Sequence, residues 1–219
     1  GPNIADLSPS ISYDNIRVTG VKTLDNPNYL FINLEISKNI QPGQFDINFL
    51  KNDKTIIKHI YTIIERDLNS MHRNGFSSKD VIYLITPDRY ANGNPKNDTV
   101  SELIEKANRK NKDSRHGGDL KGIIDHLDYI SDMGFTQIWL NPVLENNQPN
   151  YSYHGYSTTD YYNIDARFGS NQLYKELSAK AKEKEIGIIM DLILNHIGSG
   201  HWWMNDLPSK DWINFEGKF

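Results

Sequence analysis

The sequence predicts two unlike pieces: a small antiparallel β-sandwich over residues 1–70 and, over residues 71–219, an α/β segment with three parallel strands. Three observations carry the prediction. Short apolar–polar runs, separated by clusters of Asn, Asp, Pro and Gly, fill the first third of the chain. A strand–helix–strand–helix–strand succession fills the rest. Each of the later strands also runs out into polar residues: Pro87-Asp88-Arg89, then Asn141-Pro142, then Asp191 with Asn195 and His196. Strands of a (β/α)8 barrel end in this way, because such barrels hold their working residues at the strands' C-terminal ends.

Taken in order, the runs at 11–13, 16–18, 29–36, 45–49 and 56–64 read as strands, with turn signals at 25–28, 41–44 and 51–53. Strands at this spacing fit an immunoglobulin-like sandwich. They carry no visible chemistry, so the sandwich reads as a structural or carbohydrate-binding accessory domain. Residues 66–79 are polar and read as a linker. Residues 81–85 form a compact apolar strand. Over 120–133 the residues Ile123, Ile124, Leu127 and Ile130 share one helical face, and Gly134 stops the helix. A strand at 135–140, a helix at 173–184 with Leu173, Leu177 and Ala181 inward, and a strand at 186–190 complete the succession. Parallel pairing through right-handed crossovers follows. Three strands cannot close a barrel, which takes about 250 residues. The chain is therefore either a small open sheet or a cut piece. The run 187–198, GIIMDLILNHIG, is central. Its apolar start suits a strand buried on both faces. Its polar end suits either a working site or the capping of a turn.

Composition bounds the function. The chain has 219 residues, 37% hydrophobic and 24% charged, with net charge −4 and no cysteine. That is enough apolar content for a real core. Mild acidity without a basic stripe argues against nucleic acid as the main partner. Disulfides and thiolate metal sites are excluded. No apolar run is long enough to span a membrane. No signal peptide is recognisable, and the start at Gly1-Pro2 fits a processed product, a cloning scar or an excised piece.

Two loops offer chemistry. The first, at 91–98, presents the side-chain oxygens of Asn92, Asn94, Asn97 and Asp98, to which Asp119 adds a carboxylate and Gly117 a carbonyl. An oxygen-only set suits Ca2+. The same residue types also make turns, and the spacing is not that of an EF-hand. On residue types alone the turn is the better reading. The second loop, Tyr151-Ser152-Tyr153-His154-Gly155-Tyr156-Ser157, sets rings and hydroxyls where a sugar could stack, or where a protein partner could bind. His201-Trp202-Trp203 reads as a stacking shelf or a packed aromatic pair.

These residues together carry a resemblance. Pro87-Asp88-Arg89-Tyr90-Ala91-Asn92-Gly93, His154-Gly155-Tyr156 with Asp160-Tyr161-Tyr162, Ile164-Asp165, Arg167-Phe168-Gly169 and the 191–196 run stand in order along the chain. They resemble the first three barrel strands of the alpha-amylase family, glycoside hydrolase family 13. The branch most resembled is that of the cyclomaltodextrinases and neopullulanases, as in Bacteroidetes. The resemblance implies a β-sandwich N-terminal domain followed by the first part, about three strands, of a (β/α)8 TIM barrel, incomplete in this chain. It implies the N-terminal fragment of a retaining hydrolase acting on α-1,4-glucosidic bonds of cyclodextrins, pullulan or maltooligosaccharides.

The resemblance also implies roles. Asn92, Asn94, Asn97, Asp98, Asp119 and the Gly117 carbonyl become a calcium site, in which Asn94 lacks the charge relatives often place there. Tyr156 stacks under the glucose ring at the cleavage subsite, His196 bonds that ring's 6-hydroxyl, Asp191 orders the site beside Asn195, and His154 lines the pocket. The catalytic carboxylates of the family come from later strands, so none is expected here and the fragment is expected to be inactive. The start is expected to lack one strand, and the compartment implied is the periplasm. A carbohydrate-binding protein without catalysis is the alternative. A purely structural domain is a third reading. The sequence says nothing of oligomeric state.

Overall fold

The computed structural model describes residues 1–73 and 75–214; Asn74, within the expected linker, and residues 215–219, at the end of the expected barrel segment, lie outside the described residues. Two compact units divide the chain: Gly1–Arg73 together with the residues from Asn205 on, and the span from Asn74 to Met204. The described residues 205–214 lie in the same compact unit as the sandwich.

The first unit contains β1 (Ser8–Ile11), β2 (Ile16–Thr23), β3 (Leu30–Ile36), β4 (Gly43–Lys51) and β5 (Lys54–Ile63). They form a three-stranded sheet in the order β1-β4-β5 and a β2-β3 hairpin, all antiparallel. Strand β4 shows the period of two expected for a half-buried strand. Phe45, Ile47 and Phe49 are buried, with Leu7 and the flanking Ile11, Tyr13 and Ile32 packed against them, while Asp46 and Asn48 alternate with them. Burying each such side chain contributes about 1.5–3 kcal/mol. The β4–β5 turn is Asn52-Asp53, with φ of 51° and 59°. Both residues are left-handed, as a two-residue type I′ hairpin requires, and Asn and Asp tolerate that region best after Gly.

The loop before β3 is pinned from far along the chain. Asn26 Nδ2 donates to Asp206 Oδ1 at 2.6 Å and to the Leu207 carbonyl at 2.8 Å. Asn28 Nδ2 donates to the same Asp206 oxygen at 3.0 Å, and the Tyr29 hydroxyl donates to the Asp206 carbonyl. The side-chain hydrogen bonds from Asn26 first and then Asn28 hold the Asp206 carboxyl below its ordinary pKa.

The second unit runs β6 (Ile82–Ile85), α1 (Pro87–Tyr90), α2 (Leu120–Asp125), α3 (Leu127–Asp132), β7 (Gln137–Leu140), β8 (Leu144–Glu145), β9 (Asp160–Ile164), α4 (Asn171–Glu183) and β10 (Gly187–Met190). Strands β10, β7 and β6 form an open parallel sheet in that order, in which Leu84, Trp139 and Ile189 lie in register. One face carries Ile85, Ile138 and Leu140, which pack on Leu120, Ile123, Ile130, Leu177 and Ala181, all 2% exposed or less. On the other face Leu84 and Trp139 are exposed. Helices α2 and α4 start where side chains cap them: Asp119 accepts from Gly122 N at 2.7 Å and Ser170 from Leu173 N at 3.1 Å. The helix expected over 120–133 breaks at His126, whose backbone leaves the helical region while its ring Nδ1 sits 2.7 Å from the Gly122 carbonyl. The antiparallel pair β8–β9 was not expected. Among the described residues, no helix is long and apolar enough to cross a membrane.

Candidate functional site

The site is built by the ends of β7 and β10 and by the loop between β8 and β9. That loop makes one 3-10 turn, Ser152–His154, between two left-handed corners, Tyr151 with φ 58° and Gly155 with φ 84°. Position 155 needs glycine twice over. The φ is one that side chains disfavour, and a Cβ there would stand 2.1 Å from the Pro142 carbonyl oxygen. Close approach to Pro142, just past β7, thus sets where His154 and Tyr156 emerge.

The four residues expected to meet substrate come together. The Tyr156 hydroxyl donates to Asp191 Oδ2 at 3.0 Å. His196 Nε2 lies 2.8 Å from the Tyr156 carbonyl, which can only accept, so this nitrogen carries the proton. His154 Nδ1 accepts from Tyr156 N at 3.2 Å, and the two rings lie 5.7 Å apart. Partial burial, then the Asp191 carboxylate as acceptor and as charge, pushes the Tyr156 hydroxyl above its ordinary pKa. Burial pushes the His154 imidazole down, against the charge of Glu105. Both Tyr156 and His196 are exposed, so neither is core.

One member went unseen in the sequence. Trp139, in the middle of β7, donates from Nε1 to the same Asp191 oxygen at 3.3 Å. The available signal was strand parity: Ile138 and Leu140 point to the helices, so Trp139 must point away.

Behind the loop lies a buried ionic scaffold. Arg167 donates from Nε to Asp165 Oδ1 at 2.9 Å and from Nη2 to Asp165 Oδ2 at 2.7 Å, with both side chains fully buried. Its remaining contacts are the Glu105 carbonyl, 2.9 Å from Nη1, and the Asn146 carbonyl, 2.9 Å from Nη2. Burial alone would raise the Asp165 pKa, but the hydrogen bonds and charges of Arg167 and Arg115 outweigh it and hold the carboxyl below its ordinary range. A second buried carboxylate, Asp88, accepts from the backbone N–H of His116 and Gly117 at 2.8–3.1 Å. Removing one partner of such a pair typically costs about 3–5 kcal/mol, because the other charge is left buried alone.

The Asn-rich loop divides by residue. Among the described residues, the Oδ1 atoms of Asn92 and Asn97 are buried without a partner, and Asn92 Nδ2 donates to Asp98 Oδ1 at 2.7 Å. Gly117 adjoins that carboxylate so closely that a Cβ would stand 2.7 Å from Asp98 Oδ1. Asp119 instead accepts from Gly93 N, Asn94 N and Gly122 N at 2.7–3.1 Å, tying the loop to the start of α2. The Asn94 side chain is turned to Lys96 N at 3.3 Å. Among the described residues, no group of three or more Asp, Glu or His side chains is placed to hold a metal.

His201 is buried, its Nδ1 accepting from Trp203 N at 3.1 Å, and it stacks on the exposed Trp202 with centroids 5.5 Å apart. Burial again lowers the imidazole pKa.

Comparison with known proteins settles the lineage. The family described as alpha amylase, catalytic domain, matches residues 84–215, and the cyclomaltodextrinase N-terminal family matches residues 1–67. The chain belongs to the alpha-amylase family. Within it, the chain is 37% identical over 146 residues to a cyclomaltodextrinase of Thermoanaerobacter pseudethanolicus and 36% identical over 149 residues to neopullulanase 2 of Thermoactinomyces vulgaris. Each match covers 64% of this chain but only 25% of the relative. A solved Anoxybacillus alpha-amylase is 41% identical with a TM-score of 0.55, covering 63% of this chain and 30% of that one. The open sheet of β6, β7 and β10 is thus the opening part of an alpha-amylase catalytic domain, preceded by the sandwich.

Proposed function

We propose that this chain is the N-terminal part of a retaining α-glucan hydrolase of the cyclomaltodextrinase and neopullulanase kind, acting on α-1,4 bonds of cyclodextrins, pullulan or maltooligosaccharides. The observation that carries the reading is the Tyr156 hydroxyl on Asp191 at 3.0 Å, where β10 ends, with His196 on the same tyrosine's carbonyl. Ring, imidazole and carboxylate together give a sugar a flat face and hydrogen-bond partners. A substrate hydroxyl would meet His196 or take the place of the tyrosine hydroxyl on Asp191. The acid–nucleophile pair that cleaves the bond is assigned to segments other than these 219 residues, consistent with the quarter-length matches. The periplasm is the compartment proposed, on the likeness to Bacteroidetes enzymes alone.

The test compares two polypeptides. Residues 1–219 alone should give no turnover of β-cyclodextrin, and the full-length enzyme should give product with retained anomeric configuration by NMR. In the full-length enzyme Tyr156→Ala should lower kcat/KM at least about tenfold, the equivalent of ~1.4 kcal/mol. Turnover by purified 1–219, or inversion, would refute the assignment.

The same reading includes a Ca2+ ion at the Asn-rich loop, supported by the orphaned carbonyl oxygens of Asn92 and Asn97 beside Asp98. Asn92, Asn97, Asp98 and the Gly117 carbonyl would hold it, with Asp119 shaping the loop through its backbone bonds and Asn94 peripheral. The ion would supply charge neutralisation and a staple between β6 and α2, not a catalytic step. In the full-length enzyme EDTA should lower the melting temperature, and Asp98→Ala should remove that difference. An EDTA-insensitive wild type would leave the loop as a turn.

A further inference from the structure

We propose that Glu105 is a positioning residue for the α-glucan site: a buried carboxylate that holds the Ser152–Tyr156 turn through the Ser152 N–H and so fixes Tyr156 and His154. Glu105 comes from a loop more than 40 residues earlier in the chain and is 7% exposed. Its Oε2 accepts from Ser152 N at 2.7 Å, the opening N–H of the 3-10 turn. Three residues cannot hold a conformation by their own ladder, and this turn is bounded by left-handed Tyr151 and Gly155. Its geometry has to be imposed from outside, and a charge-assisted bond at the first N–H does so.

Both ends of the link are fixed. The Glu105 carbonyl is held by Arg167 Nη1 at 2.9 Å, and Arg167 is locked to Asp165. Ser152 is fully buried, and its hydroxyl accepts from Arg115 Nη1 at 3.4 Å, while Arg115 lies over the Phe168 ring at 4.4 Å. The path from the buried ion pair to the tyrosine is therefore Asp165, Arg167, Glu105, Ser152 and Tyr156. Glu105 is nearly enclosed, at 7% exposed, and its bonded partners Ser152 and Arg167 are buried as well. The exposed platform of Trp202 lacks that property.

The inference rests on the functional reading above, and the test separates the two. In the full-length enzyme Glu105→Asp keeps the charge but draws the carboxylate back by one methylene, whereas Glu105→Gln keeps the reach and an acceptor oxygen. Positioning predicts that Glu105→Asp lowers kcat/KM on β-cyclodextrin about tenfold, mainly through kcat, and that Glu105→Gln recovers all but about threefold. Circular dichroism should show both folded. The reverse order, equal losses, or two unaffected variants would each overturn the role of Glu105, provided Tyr156→Ala is impaired in the same assay. A normal Tyr156→Ala would instead overturn the α-glucan site itself. If Glu105→Asp does not fold, Ser152→Pro removes the same N–H from the other side; normal kcat in that variant would also overturn the proposal.

Discussion

The two faces of the parallel sheet differ in what they are for. Toward the helices, Ile85, Ile138 and Leu140 are 2% exposed or less and contact a continuous apolar core. On the opposite face Leu84 is 54% exposed and Trp139 39%. Successive residues of a strand point to opposite sides, so one residue of offset separates the two roles. Asp191 follows β10 with the parity of Ile189, which is in register with Trp139, and the Trp139–Asp191 bond runs along that second face. Apolar packing is thus concentrated on one parity and the contacts of the proposed sugar site on the other.

Three measurements would break or sharpen this division. The largest effect should come from the packed face. Leu140→Ala removes a fully buried side chain and should cost about 2–5 kcal/mol in denaturant unfolding of the full-length protein. A loss below about 1 kcal/mol would mean that the core relaxes around the cavity and that the faces are less distinct than they look. Next comes the open face. Trp139→Phe keeps the ring but deletes the donor to Asp191. A hydrogen bond to a charged group is worth about 1.5–3 kcal/mol net, and the 3.3 Å length and exposure of this one reduce that, so kcat/KM should fall roughly 10-fold with little change in melting temperature. A lower melting temperature with normal kinetics would move Trp139 to the structural side.

The smallest effect concerns pH. His154 and His201 both titrate below the ordinary value near 6.5, chiefly through burial, and each accepts a backbone N–H on Nδ1, which requires the neutral ring. The folded state then binds fewer protons than the unfolded state. Their contribution is fully present above pH 6.5 and is lost as pH falls through the lower folded value. The melting temperature should decline between pH 7 and 5, and His201→Gln should flatten that decline by a few degrees. An unchanged slope in the variant would show that other groups govern it.

Much of this was readable in the chain. Strands β3 to β6 announce themselves through alternation or a short apolar run, and the parallel strands through their polar ends. Residues such as Ile123, Leu127 and Ile130 keep to one face although His126 breaks the helix, because the inward positions survive the break. The hairpin β8–β9 was illegible: two residues pair with five across a long loop, and Asp160-Tyr161-Tyr162-Asn163-Ile164 shows no period of two in apolar character. Tyr156 and His154 are legible as loop residues suited to sugar and Asp191 and His196 as the polar end of a strand, with their roles implied by the family resemblance, yet their mutual bonds are not legible, since spacing along a chain says nothing of which hydroxyl reaches which carboxylate. Glu105 left no trace at all. A buried glutamate inside Ser101-Glu102-Leu103-Ile104-Glu105-Lys106 looks like any solvated charge. The proposed calcium ligands read as turn formers on residue types alone, and the unpartnered oxygens of Asn92 and Asn97 among the described residues are what support the other reading.

The anchoring of Asn26, Asn28 and Tyr29 to Asp206 has a consequence for biosynthesis. Those contacts span 177 to 181 positions. At about 5–20 residues per second on a ribosome, roughly 10 to 35 s separate the synthesis of the two sides. Of the two units, the sandwich strands are made before the α/β span, yet the loop before β3 waits for a strap made after residues 75–204. During that interval the nascent chain holds an unfinished sandwich unit. Its last side-chain ties close only when residues 206 and 207 arrive, so the order in which the units emerge is not the order in which they are completed.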